Sequence, residues 1–241
     1  MNKSKLLKEL KELDTLSLIE RCAELEKEDV EIPASIKKRI SEYYRVLKMN
    51  EFDKTFGYPV CGVDEAGRGP LIGRVYTAAV ILPENCVIEG INDSKKLSEK
   101  KREQLFDEII EKAVCYSINY AEHDVIDEMN IRNATYMSMN NCVNGLSQKP
   151  QFVLVDGDAV TNMSTPHECV IGGDAKSQNI AAASILAKVS RDRYILELDE
   201  KYPQYDLKSN KGYGTKKHIE AIKEFGITPE HRKTFVKNFV K

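Results

Sequence analysis

The sequence has no run of about 18 or more consecutive apolar residues, which excludes an ordinary membrane-spanning helix. Its beginning, residues 1–11, alternates Lys and Leu where a secretory signal would carry an apolar stretch, so a cytosolic protein is expected. Cysteine is sparse and unpaired. Cys22, Cys61, Cys86, Cys115, Cys142 and Cys169 are spread along the chain without a Cys-x-x-Cys spacing, pointing to neither a zinc site nor a disulfide framework, and they are expected as small buried hydrophobes. Internal repeats and low-complexity stretches are absent. So is the Gly-x-x-x-x-Gly-Lys-Ser/Thr pattern of a nucleotide-binding phosphate loop. Net charge is also small, -2, which taken as a bulk figure argues against a polyanionic partner.

The charge is unevenly distributed, however. Residues 188–241 hold 13 Lys and Arg against 8 Asp and Glu, and residues 1–50 hold 11 against 10, so the middle of the chain is strongly acidic. An acidic centre beside a basic C-terminal quarter suits a metal site within a phosphate-binding surface. At 241 residues, 41% of them hydrophobic, the chain can bury one sizeable core with a small appendage.

The appendage is expected at 1–50. Leu6, Leu10 and Leu13 fall on one helical face, Leu18, Cys22 and Leu25 repeat the spacing, and after Pro33 it resumes at Ile36, Ile40, Tyr43 and Leu47. A linker is expected over 51–57 and the main domain over 51–241. Strands are expected at 60–63, 75–82, 113–121, 152–155 and 169–171, the first two as a hairpin across the Gly-rich 66–73. Helices are expected at 94–112, 130–145, 177–201 and 215–225, with a short helical piece at the C-terminal end. A hairpin followed by alternating strands and helices predicts an α/β fold, a mixed sheet with helices on both faces.

Carboxylates gather where these strands end. The strand before it delivers Asp64 and Glu65, the run 152–155 leads into Asp156-Gly157, and 169–171 leads through two glycines to Asp174 at the mouth of a long helix. Several carboxylates at one place can hold two hard divalent cations roughly 3.5–4 Å apart, the arrangement that activates water against a phosphodiester. Adjacent strand residues face opposite ways, so Glu65 is expected to join only if the chain leaves strand geometry there. Asp156-Gly157 alone also reads as a plain turn, Asp174 as a helix cap, and Asp158 rivals Asp156. Arg68 between Gly67 and Gly69, and Tyr213 between Gly212 and Gly214, suit close approach to a phosphate and stacking on a sugar or base. His218, His231 and Arg232 are candidate phosphate contacts.

With Asp64-Glu65-Ala66-Gly67-Arg68-Gly69-Pro70, Asp93-Ser94-Lys95-Lys96-Leu97, Asp156-Gly157, Gly173-Asp174, Ile180-Ala181-Ala182-Ala183-Ser184-Ile185, Ala187-Lys188-Val189, Arg191-Asp192, Gly212-Tyr213-Gly214-Thr215 and His231-Arg232 in this order, the chain resembles bacterial ribonuclease HII, a type 2 ribonuclease H, over 58–236. The resemblance implies an RNase H-like five-stranded mixed sheet flanked by helices, with a C-terminal helical segment that binds substrate. It implies an endonuclease of DNA replication and repair. The enzyme would cut the RNA strand of RNA/DNA hybrids and nick duplex DNA 5' of embedded ribonucleotides, leaving 3'-hydroxyl and 5'-phosphate ends. Asp64, Glu65, Asp156 and Asp174 would be its catalytic ligands for two Mg2+ or Mn2+ ions, Asp156 being favoured over Asp158. Gly67, Arg68 and Gly69 would contact the 2'-hydroxyl and phosphates at the RNA-to-DNA junction, and Tyr213 would stack on the following deoxyribose. A monomer is expected, with no membrane partner. The related ribonuclease HIII typically has Lys at the place of Arg68 and Glu at that of Asp174. The competing readings are an exonuclease or strand-transfer enzyme on the same kind of fold, and a non-catalytic nucleic-acid-binding protein.

Overall fold

The computed structural model describes residues 3–240; Met1, Asn2 and Lys241, which belong to the expected N- and C-terminal regions, lie outside them. Five strands form one sheet in the order β3-β2-β1-β4-β5. They are β1 (Val60–Ala66), β2 (Val75–Ile81), β3 (Cys115–Ala121), β4 (Phe152–Asp156) and β5 (His167–Val170). The expected hairpin is present, β1 and β2 pairing antiparallel with Gly62 opposite Val80. β3 extends the sheet antiparallel to β2, and β4 and β5 add on the other side in parallel.

Burial explains which strand lies where. β2 is buried along its whole length and β1 along its first five residues, as strands covered on both faces require. β3 carries exposed Tyr116 and Tyr120 and takes an edge. One face of the sheet is covered by α6 (Ile131–Asn144), with Cys61, Val63, Met139, Cys142, Val153 and Val155 in that core. The other face carries α7 (Gln178–Lys201), backed by α4 (Glu99–Lys112) and α3 (Ala34–Lys54). α7 reaches the sheet through Ala181, Ala182 and Ala183, and β1 answers with Gly62, where a Cβ atom would lie 2.1 Å from the backbone of Asn179. This close approach fixes α7, and the residues on its first turns, against the central strand.

Towards the N-terminus, α1 (Lys3–Glu12) and α2 (Thr15–Lys27) share a small core of Leu6, Leu10, Leu18, Cys22, Leu25, Ile32 and Ile36 with the start of α3. The linker expected over 51–57 is different in structure. α3 continues unbroken to Lys54, because Asn50 and Asp53 are buried beside α7 and its contacts hold the helix past the expected boundary. The helix expected over 94–112 divides into a 3-10 turn at Ser94–Lys96, capped by Asp93, and α4, capped by Ser98. A helix not anticipated from the sequence, α5 (His123–Met129), precedes α6. Beyond α7 come α8 (Leu207–Asn210), α9 (Lys216–Phe225) and α10 (Lys233–Val236), which pack on Leu71, Ile72 and Tyr194. Among the described residues no helix is long and apolar enough to cross a membrane.

Candidate active site

The four acids reach one end of the sheet by different routes. Asp64 lies on β1, 5% exposed. Cys61 and Val63 belong to the α6 side, so alternation turns Asp64 towards α7, where Ser184 hydrogen-bonds to it. Asp156 closes β4, and its Oδ1 accepts the N–H of Gly173 at 2.7 Å. Asp174 follows immediately in a 3-10 turn, Gly173–Ala175, ahead of α7. The glycine before it is needed for this approach: a Cβ at Gly173 would lie 2.5 Å from Ile180 Cδ1 and 3.3 Å from Asp156 Oδ1. Asp158 is exposed and faces Arg132 and Cys169 instead of the acids.

Glu65 corrects one expectation. The chain does not leave strand geometry there, for β1 runs through Ala66 with Glu65 opposite Thr77; the departure comes at Gly67, with φ +98°. Glu65 thus lies on the strand face opposite Asp64, near the end of the strand. It still lines the cleft that holds Lys95 and Tyr213, and its Oε1 stands 3.7 Å from Arg68 Nη1.

The electrostatics are those of an under-compensated anionic cluster. Burial, then Glu65 and Asp156, hold the Asp64 carboxyl well above the ordinary range. Burial and Asp156 also raise Glu65, against the pull of Arg68 and Lys95. Asp174 is raised by burial, by Asp93 and by Asp156. The pKa of Lys95 is raised as well: burial opposes its charge, but Asp64, Asp93, Asp174 and Asp156 outweigh burial and keep it protonated. All the donors are carboxylate oxygens and their charge exceeds what Lys95 and Arg68 offset, so the set fits hard divalent cations. Among the described residues no three acidic, His or Cys side chains already converge as a ligand set. Asp156 is turned to the Gly173 N–H and Asp174 is hydrogen-bonded to Asp93.

Beside the acids lies an open cleft of about 450 Å³, lined by Glu65, the Gly67-Arg68-Gly69 loop, Ser94, Lys95, Lys188, Arg191 and Tyr213, among others. Arg68 and Tyr213 are exposed there, and a Cβ at Gly69 would come within 3.3 Å of the Tyr213 ring. The two loops are joined directly, Leu71 N–H donating to Gly212 O at 2.8 Å. Lys188 pairs with Asp192 at 2.6 Å, and Arg191, buried beneath the loops, donates to Lys211 O at 2.6 Å. Lys95, Lys188 and Arg191 belong to motifs visible in the sequence, but spacing alone gave them no role.

His218, His231 and Arg232 do not contact phosphates, since all three are fully buried. Arg232 reaches under the Gly67-Arg68-Gly69 loop and donates to five carbonyls: Gly67 at 2.7 Å, Arg68 and Pro70 at 2.9 Å, Gly73 at 2.8 Å and Arg74 at 3.1 Å. Burial and the neighbouring Arg191 bring its pKa down to about 9, which leaves it a cation at neutral pH. The two histidines form a chain whose tautomers follow from the partners. Thr228 N–H donates to His231 Nδ1 at 2.9 Å, so the His231 proton is on Nε2, facing His218 Nε2 at 3.3 Å. His218 must then be protonated on Nδ1, which donates to Tyr213 O at 3.0 Å. Both rings are neutral in this arrangement, and burial pushes both pKa values down, His231 to about 4.

The family model for ribonuclease HII matches residues 61–240. The chain belongs to the ribonuclease HII family. It is 49% identical over 203 residues to ribonuclease HII of Caldicellulosiruptor bescii, covering 84% of this chain and 98% of that one. To the Endomicrobium trichonymphae protein it is 54% identical, covering 77% and 89%. Among solved structures, ribonuclease H2 from Pyrococcus horikoshii superposes with a TM-score of 0.64 at 30% identity, over 75% of this chain and 96% of that one. Bst-RNase HIII in complex with Mn2+, at 15% identity and a TM-score of 0.54, shares the fold over 68% of this chain and 60% of that one. The sheet with its flanking helices is therefore that of the type 2 ribonucleases H, enzymes that cleave the RNA of RNA/DNA hybrids.

Proposed function

We propose that the chain is an endonuclease that cuts the RNA strand of RNA/DNA hybrids and nicks duplex DNA on the 5' side of an embedded ribonucleotide, leaving 3'-hydroxyl and 5'-phosphate ends. The observation that carries the reading is one cleft that joins Glu65, Lys95 and Ser184, the partner of buried Asp64, to exposed Arg68 and Tyr213. Asp64, Glu65, Asp156 and Asp174 would hold a pair of divalent cations, Mg2+ or Mn2+, in keeping with the Mn2+ bound by Bst-RNase HIII. Bound there, such ions supply water activation and charge stabilisation at the scissile phosphate.

The chain's own residues orient the substrate. Gly67 and Gly69 let the junction approach the backbone, where a 2'-hydroxyl distinguishes ribose from deoxyribose. Arg68, Lys95 and Lys188 offset phosphate charge. Tyr213 stacks on the deoxyribose that follows. The division into a helical extension, 1–50, and a catalytic unit, 51–241, working as a cytosolic monomer, belongs to the same reading.

The test is to replace each acid by its amide in turn and measure turnover of folded protein. Each of the four changes should lower turnover by orders of magnitude, whereas Asp158→Asn should not. Near wild-type turnover in Asp156→Asn would remove that residue from the site.

A further inference from the structure

Three of the acids around the candidate site come from the sheet, and the other groups do not. Asp64, Glu65 and Asp156 are strand residues, while Asp93 and Lys95 sit on the connection 82–98 and Asp174 on the turn before α7. Both connections are held from one direction. Along 82–98, Leu82 N–H donates to Asn179 Oδ1 at 2.8 Å and Ile88 N–H to Gln178 Oε1 at 2.9 Å, while Gln178 Nε2 donates to Cys86 O at 2.8 Å. Gln178 and Asn179 open α7, four and five residues after Asp174. Asp53 of α3 fixes that turn, its Oδ2 accepting both Asn179 N–H at 3.0 Å and Asn179 Nδ2 at 2.9 Å.

α3 also grips the connection itself. Asn50 Nδ2 donates to Cys86 O at 3.3 Å, and Arg45 Nη2 donates to Ile91 O, two residues before Asp93. Val46 and Met49 share an apolar cluster with Ile88 and Ile91. Glu89 is held by Thr15 Oγ1 and stands 3.6 Å from Arg39 Nε, and Arg39 in turn donates to Leu13 O at 3.0 Å. At the far end, Ser94 Oγ meets Ser184 Oγ at 2.9 Å, beside Asp64.

We propose that α3, which lies outside the matched family region, is a positioning brace: through Arg45 and Asn50 it sets the segment that aims Lys95 at the acids, and through Asp53 the turn that carries Asp174. The inference rests on the reading of the acid cluster as the active site. Arg45 and Asp53 are positioning residues, since neither touches the cleft. Among the described residues no other side-chain donor reaches the Ile91 carbonyl, so removing the guanidinium frees the stretch leading into Asp93. Asp53 is buried, and desolvation lifts its pKa to about 6 against hydrogen bonds from Ser177, Asn179 and Gln178, which favour the carboxylate and tie it to the start of α7.

The experiment uses the full-length protein carrying Arg45→Met, with Arg39→Met as a second variant at the partly exposed end of the same tether. Hydrogen exchange reads the brace without any activity. Amides of 86–97 should exchange faster in Arg45→Met while those of β1 and β4 stay as in wild type. Cleavage then reads the consequence in a double-mutant cycle with Lys95→Met. Arg45→Met alone should lower kcat roughly tenfold with KM little changed, and the loss should shrink below about twofold in the Lys95→Met background, as for residues acting through one network. Unchanged exchange over 86–97 in both variants overturns the brace. Losses that multiply in the cycle overturn its action through Lys95. Absent cleavage by the wild-type protein contradicts the nuclease reading instead, and leaves the exchange result to judge the brace.

Discussion

Arg232→Met probes the support beneath the substrate loop. One guanidinium makes five hydrogen bonds of 2.7–3.1 Å to carbonyls of the 67–74 turn. A hydrogen bond to a charged group contributes about 1.5–3 kcal/mol, so five independent ones would rival the ~5–15 kcal/mol that holds a whole domain folded. They are not independent, because one side chain makes them all, and the carbonyls nearest the cleft can be rehydrated. The expected loss is therefore ~3–5 kcal/mol, the cost of breaking a buried charged network. Arg232→Lys keeps the charge but offers three donors for five acceptors, and should cost roughly 1–3 kcal/mol. Urea unfolding gives both values, and cleavage of a duplex with one ribonucleotide should fall in the same order. The reasoning fails if Lys restores wild-type stability, or if Met costs under about 1 kcal/mol.

Three further outcomes follow from the site. Asp64 is buried with its pKa raised, so its charge opposes folding at neutral pH; in chelator Asp64→Asn should raise Tm, by about 2–4 °C per kcal/mol relieved, while wild type alone gains substantially from added Mg2+. A lower Tm for the variant in chelator would contradict this. His231 has a folded pKa of about 4, below its ordinary 6.5, so the stability it contributes is full above 6.5 and is lost as pH falls towards 4. His231→Gln should flatten that part of the stability profile, measured by denaturation from pH 7 to 4, and an unchanged slope would exclude the pair as its source. Tyr213→Ala should weaken cleavage at single ribonucleotides more than in long hybrids; equal losses would contradict stacking at the junction.

How much of this could be read from residues alone depends on the range of the forces involved. Strand positions and the placing of Asp64, Asp156 and Asp174 towards one end of the sheet were legible, because apolar runs that end in acid record where each strand stops. Glu65 was legible as a candidate but not in its geometry: pairing with Thr77 keeps β1 extended one residue beyond the acid pair, a tertiary effect that local glycine content does not reveal. His218, His231 and Arg232 looked like phosphate contacts because Arg is rarely buried without partners and nothing in the local sequence shows what would pair with the three. Their burial depends on the C-terminal helices folding back over the 67–74 turn, a contact spanning some 160 residues. The reach of α3 past residue 50 was likewise hidden, since it depends on a hydrogen bond between Asp53 and a helix more than a hundred residues later.

The most direct test of the account is cleavage of an end-labelled DNA duplex containing one ribonucleotide, with Mg2+, with Mn2+ and with chelator, beside an all-DNA control. The account predicts a single nick on the 5' side of the ribonucleotide that needs a divalent cation and leaves the control intact. An intact substrate from folded protein under every condition, a ladder of mononucleotides, or cutting of the all-DNA duplex would contradict it.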